Sequence, residues 1–148
     1  MPLPAFTATG DLPPGVHAAT LADVLVRLGS GTPDRAAVGR RLAAILRLAL
    51  STGKVRRFVV FGSFVTAKPA PGDVDVFLVM EDDFAVATVV GEAAAVFDHA
   101  LAHDRLGASI FWVRAMAALG GEQAAVEYWQ ANRGGGQRGI VEIVEPFV

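Results

Sequence analysis

Asp73 and Asp75 are the residues of this chain whose type and spacing most directly suggest chemistry. They open Asp73-Val74-Asp75-Val76-Phe77-Leu78-Val79, a run that reads as a β-strand. Successive strand side chains alternate between faces, so both carboxylates share one face while Val74 and Val76 share the other. Like charges held that close repel unless solvent or a cation lies between them. A divalent cation answers the repulsion: Mg²⁺ is commonly held by one or two carboxylates plus substrate phosphates, and two-metal sites share carboxylates between ions. Phosphoryl-type transfer is the chemistry such a pair serves. An edge strand with one solvated acidic face would show the same alternation.

A second feature precedes the first. Phe58-Val59-Val60-Phe61 is an apolar strand-like run that stops at Gly62-Ser63, where a residue without Cβ permits a sharp turn or a close approach. Phe64 to Gly72, rich in Pro and Gly toward its end, reads as the connecting loop. Within it, Lys68 could contact phosphates as a mobile point charge or simply be solvated, and Phe64 reads as core. Strand, Gly-Ser turn, loop and Asp-x-Asp strand together resemble the minimal nucleotidyltransferases of the DNA polymerase beta-like superfamily. The flanks extend the resemblance. Leu12-Pro13-Pro14-Gly15-Val16-His17, Gly62-Ser63-Phe64-Val65-Thr66 with Lys68-Pro69, and Arg138-Gly139-Ile140-Val141-Glu142 are similar to a small bacterial group of uncharacterised nucleotidyltransferase-like proteins.

What the resemblance implies is an α/β (α+β) fold with a mixed sheet of about four strands flanked by helices. It implies Mg²⁺-dependent transfer of a nucleoside monophosphate from a nucleoside triphosphate to an acceptor, protein or RNA. Gly62, Ser63 and Lys68 would bind the triphosphate, and Asp73 and Asp75 would be the catalytic, metal-holding pair. Many small members resemble toxins of toxin–antitoxin pairs, which implies that role or phage defence. In the superfamily a third Asp on a later strand joins the first two and serves the metal that activates the nucleophile. Here the best-matching strand offers Ser109. A hydroxyl is a poorer Mg²⁺ ligand than a carboxylate and is no base near neutral pH. Glu142, Asp98 and Asp104 are the carboxylates that could substitute. The departure puts the second metal in doubt and motivates another reading, an impaired member that binds nucleotide or a partner protein.

The elements that must position these residues fit one domain of 148 residues: an extended Pro/Gly-rich arm over 1–17, then a single domain over 18–148. Thr20 and Thr32-Pro33 signal helix starts, the second helix presenting Val38, Leu42, Ile45 and Leu46 inward and Arg35, Arg40, Arg41 and Arg47 to water. Further helices are expected over 84–102, with His99 and His103 at its end, and over 122–131, with Ala125, Tyr128 and Trp129 facing the core. Strands are expected over 108–113 and 139–145, the last preceded by a glycine-rich loop in which Arg133 or Arg138 could reach a substrate.

Composition narrows the function classes. A net charge of -2 and a pI near 5.9 exclude a global field favouring nucleic acid or an anionic membrane. A hydrophobic content of 53% and mean hydropathy of +0.44 leave room for a self-association surface, so a homo-oligomer is an expectation. Without cysteine there is neither a disulfide nor a thiolate metal site, and no run approaches the ~20 apolar residues of a membrane helix. The start lacks the pattern of a secretory signal, and the expectation is a cytoplasmic protein.

Overall fold

The computed structural model describes residues 3–132 and 134–145. At its centre two apolar strands, β2 (Val55–Phe61) and β3 (Val74–Met80), pair antiparallel. Around them a five-stranded mixed sheet is completed by β1 (Val16–Thr20), β4 (Ala108–Arg114) and β5 (Ile140–Glu145), in the order β1-β5-β2-β3-β4. Strands β3 and β4 run parallel, as do β1 and β5, while β2 is antiparallel to both neighbours. The mixed α/β class is the expected one. The extra strand is β1, formed by a segment whose Pro/Gly-rich approach hid its extended residues.

Strand alternation sorts the core into two layers. Phe58, Val60, Val74, Val76, Leu78, Met80, Ile110, Val141 and Ile143 face the larger one, where they meet Val24, Leu28, Val38, Leu42 and Ile45 from the helices. Each such side chain contributes roughly 1.5–3 kcal/mol by leaving water. Val59, Phe77, Val79 and Ile140 face the other way and pack with Val126, Phe61, Val113 and Trp129. Because β3 is buried on both faces beyond Asp75, it reads as a near-continuous apolar run.

Helix α1 (Leu21–Arg27) starts where Thr20 accepts a hydrogen bond from the Asp23 amide, and α2 (Pro33–Leu50) where Thr32 accepts one from the Arg35 amide, with Pro33 in the first turn. The helix expected over 84–102 is instead a series of short turns, Val86–Thr88, Gly91–Phe97, His99–Leu101 and Ala102–Leu106. Gly91 at φ +68° and the extended backbone of Asp98 break it, and the β-branched Val86, Val89 and Val90 give it little helical preference. The last helix spans Glu122–Glu127 and tightens to a 3₁₀ turn over Tyr128–Gln130. Ala125 and Trp129 pack inward as expected, but Tyr128 is exposed, since the tighter turn rotates it away from the core. No helix among the described residues is long and apolar enough to cross a membrane.

The arm is anchored more firmly than its composition suggests. Leu3 and Leu12 are buried, Asp11 bridges to Thr66, and Val16 and His17 already belong to β1. A further correction concerns Arg35, expected on the wet side of α2 and found buried. Its guanidinium donates through Nη1 to the carbonyls of Leu28 (3.1 Å) and Phe64 (3.0 Å), and through Nη2 to those of Thr66 and Lys68 (2.6 Å). Desolvation pulls its pKa below the ordinary value, yet these acceptors hold it in place. Arg35 thereby staples the loop after Gly62 to α2. Replacing it, Arg35→Leu, strands buried carbonyls and is expected to cost about 3 kcal/mol, a fall in Tm of about 10 °C in a thermal melt; a loss below about 1 kcal/mol would mean that the loop holds its own shape.

Candidate functional site

The site forms where β2 ends. Phe61 pairs with Asp75 across the β2–β3 ladder, and the next residue, Gly62, turns with φ +81° and ψ -162° into a 3₁₀ turn, Ser63–Val65. A Cβ on Gly62 would overlap the Asp75 carboxylate, with Cγ only 2.9 Å away. Both the backbone angle and the space therefore require glycine. Behind the turn, Thr66 Oγ1 donates to the Ser63 carbonyl (2.7 Å) and accepts from the Lys68 amide (3.2 Å), while Phe64 is fully buried.

Ser109, at the expected third-ligand position, pairs in register with Asp75 across β3–β4, and its hydroxyl donates to Asp73 Oδ2 at 3.3 Å. Gly62, Asp73, Asp75 and Ser109 are thus brought together, with Ser63 adjoining. Among the remaining candidates Asp104 adjoins Asp73, and the others lie elsewhere. Glu142 shares the face of Asp75, but Arg57 holds its carboxylate through Nε (3.0 Å) and Nη2 (2.6 Å). Lys68 is exposed on the loop, its carbonyl bound to Arg35. Asp98 caps a helical turn by accepting from the Leu101 amide (3.0 Å). Asp104 lies with Asp73 in a hollow of about 390 Å³ that also includes Arg41 and His103. His99 rests against Phe111, with ring centroids 5.2 Å apart, while His103 meets Asp104 at 3.3 Å. Arg133 lies outside the described residues.

Electrostatics single out Asp75. Its pKa is pushed up to about 6, first by burial and then by the charge of Asp73, with Arg138 opposing. Asp75 lines a second hollow of about 390 Å³ with Gly62, Ser109, Asn132 and Arg138, walled by Phe61, Phe111, Tyr128 and Trp129. Arg138 is itself 3.7 Å from Asp11 of the arm. Two half-buried carboxylates and a hydroxyl suit one hard cation whose remaining ligands are water or phosphate oxygens. A second cation would lack a carboxylate at Ser109. Among the described residues no group of three or more His, Asp or Glu side chains converges on one point.

A family of unknown function (DUF6932) matches residues 4–144, almost the whole chain. This protein belongs to that family. Neither the curated proteins nor the solved structures contain a match. The site residues that the sequence left unassigned in this DUF6932 chain are the aromatic wall and Asn132. Phe61 lies directly opposite Asp75 and Phe111 two positions beyond Ser109 on the same face, a period-2 signal that could have flagged them once the strands were paired. Tyr128 and Trp129 arrive from a distant turn and carried no local signal.

Two consequences can be measured. Gly62→Ala should destabilise by about 2 kcal/mol or more, and by less in an Asp75→Ala background, in denaturant titrations; equal losses in both would separate the glycine from the carboxylate. Because the folded-state pKa of Asp75 lies above its ordinary 3.8, the native protein is favoured by this group at low pH and loses that contribution as pH rises through about 6. Without divalent metal, Asp75→Asn should therefore be more stable than wild type above that pH, on the order of 2 kcal/mol after allowing for partial exposure, and indistinguishable from it near pH 4 in melts across the range.

Proposed function

We propose that this chain is a nucleotidyltransferase-like protein that binds a Mg²⁺–nucleoside triphosphate at Asp73 and Asp75 and transfers a nucleoside monophosphate to a protein or RNA acceptor. The observation that carries the reading is the fit of the Asp75 carboxylate into the space beside Gly62, with Asp73 and Ser109 alongside. Gly-Ser and Asp-x-Asp, separated in sequence, meet as one site. A bound Mg²⁺ would supply charge neutralisation for the phosphates and the leaving pyrophosphate. Asp73 and Asp75 would hold it, the Gly62–Ser63 turn would offer backbone and hydroxyl donors to the phosphates, and Arg138 would add a positive charge at the rim. The acceptor oxygen bonds to the α-phosphorus as the bond to the bridging oxygen breaks, releasing pyrophosphate. The acceptor proton passes to water, since Ser109 is no base. The cysteine-free sequence fits a reducing compartment, so the proposed place of action is the cytoplasm. A toxin or phage-defence role follows from the resemblance alone.

A second reading is favoured by one feature. Ser109 sits in register with Asp75 where a third carboxylate would serve the nucleophile, and Glu142 is engaged by Arg57, so nucleotide binding without transfer also fits. Calorimetric titration of the four Mg²⁺–nucleoside triphosphates, followed by a pyrophosphate-release assay, separates the readings. Wild type should bind, and Asp73→Asn/Asp75→Asn should weaken binding about tenfold or more. Pyrophosphate release by wild type supports the transferase. Binding without release, together with release by Ser109→Asp, supports the binder. No metal-dependent binding by wild type would overturn both.

A further inference from the structure

The aromatic wall of the Asp75 hollow has no part in holding metal or phosphate, yet it is built from four rings. Phe61 and Trp129 lie 4.4 Å apart at 31°, and Phe111 stacks on Trp129 at 5.1 Å and 29°. Tyr128 stands across Trp129 at 5.3 Å and 86°. Phe61 is the ladder partner of Asp75, and Phe111 lies one same-face step beyond Ser109 on β4. A cluster of mutually tilted rings, with Tyr128 edge-on to Trp129, therefore begins directly beside the carboxylates. Its outer members remain in water: Phe111 is 39% exposed and Tyr128 69%. Trp129 and, at 5.2 Å, His99 both contact the Phe111 ring, and the exposed parts of Phe111 and Tyr128 border the mouth of a hollow within the size range of small-ligand sites.

We propose that this shelf stacks the planar aromatic ring of the ligand, the nucleobase of the triphosphate whose phosphates Asp73 and Asp75 address. The inference rests on the functional reading above and names the part of the ligand that the aromatic side of the hollow recognises. Every base has a π-face, so stacking tolerates base identity. Asn132 adds little discrimination, because its Oδ1 already accepts from the Gly134 (2.9 Å) and Gly136 (3.1 Å) amides, leaving only Nδ2 as donor. The four triphosphates are accordingly expected to bind within a few-fold of one another.

The test compares Mg²⁺–ATP with Mg²⁺–tripolyphosphate, which has the phosphates and no ring, by calorimetry and by quenching of tryptophan fluorescence. Wild type should bind ATP more tightly, with quenching by ATP alone. Phe111→Ala and Tyr128→Ala, at exposed positions, should each weaken ATP by about fivefold to a hundredfold and leave tripolyphosphate unchanged. Phe111→Tyr should restore ATP binding, which separates a stacking role from a lost fold. Unchanged ATP affinity in both alanine variants, or equal affinity of wild type for the two ligands, overturns the shelf while leaving the metal–phosphate site standing. Failure of wild type to bind either ligand overturns the functional reading and the shelf with it.

Discussion

The carboxylate of Asp75 lies where a side chain on Gly62 would have to go, and much of the site follows from that one contact. The ladder pairs Phe61 with Asp75, so the residue after Phe61 must turn away from the sheet without a Cβ. The close approach also buries the carboxylate, and burial with the neighbouring charge of Asp73 raises its proton affinity. A turn under that constraint needs support. Arg35 provides it by binding the carbonyls of Phe64, Thr66 and Lys68 from inside the fold, a use for which the planar, multi-donor guanidinium suits better than a lysine.

Strand β3 serves two purposes through its period of two. Val74, Val76, Leu78 and Met80 fill the larger core, while Asp75, Phe77 and Val79 turn to the other face, where only the carboxylate reaches the site. A register slip of one residue would bury Asp75 in the larger core and expose the valines, so the position of the carboxylate is fixed by the same burial that stabilises the sheet. The hydrogen bond from Ser109 to Asp73 ties the neighbouring parallel strand to the same point.

The central strands, the two capped helices and the Gly62–Asp75 neighbourhood were legible because each depends on local pattern: an apolar run, a capping threonine, a glycine before a loop. What escaped depends on distant partners. Arg35 looks like one more exposed arginine on α2 until the loop after Gly62 folds over it. Strand β1 takes its conformation from β5, some distance along the chain, and the 84–102 segment has enough alanine to suggest a helix while Gly91 and Asp98 prevent one. In the site, the two carboxylates, Ser109 and the loop residue Arg138 were legible as candidates, but Tyr128 and Trp129 reach the hollow only through tertiary packing.

Asp75 and Glu142 make the contrast that separates structure from chemistry on this face. Both are half-buried carboxylates on adjacent parts of one sheet surface. Glu142 is compensated inside the chain, since Arg57 meets both its oxygens and is itself raised in pKa chiefly by that hydrogen bonding. Such a bidentate pair needs no further partner. Among the described residues, Asp75 has Asp73 as its near neighbour and Arg138 at longer range, an arginine already shared with Asp11. Structural ion pairs neutralise themselves, whereas a carboxylate whose pKa rises through burial and a like charge is a candidate for function. On that distinction Glu142 is part of the scaffold, and the Asp73–Asp75 pair is the place where a hard cation and its phosphate ligands would gain most.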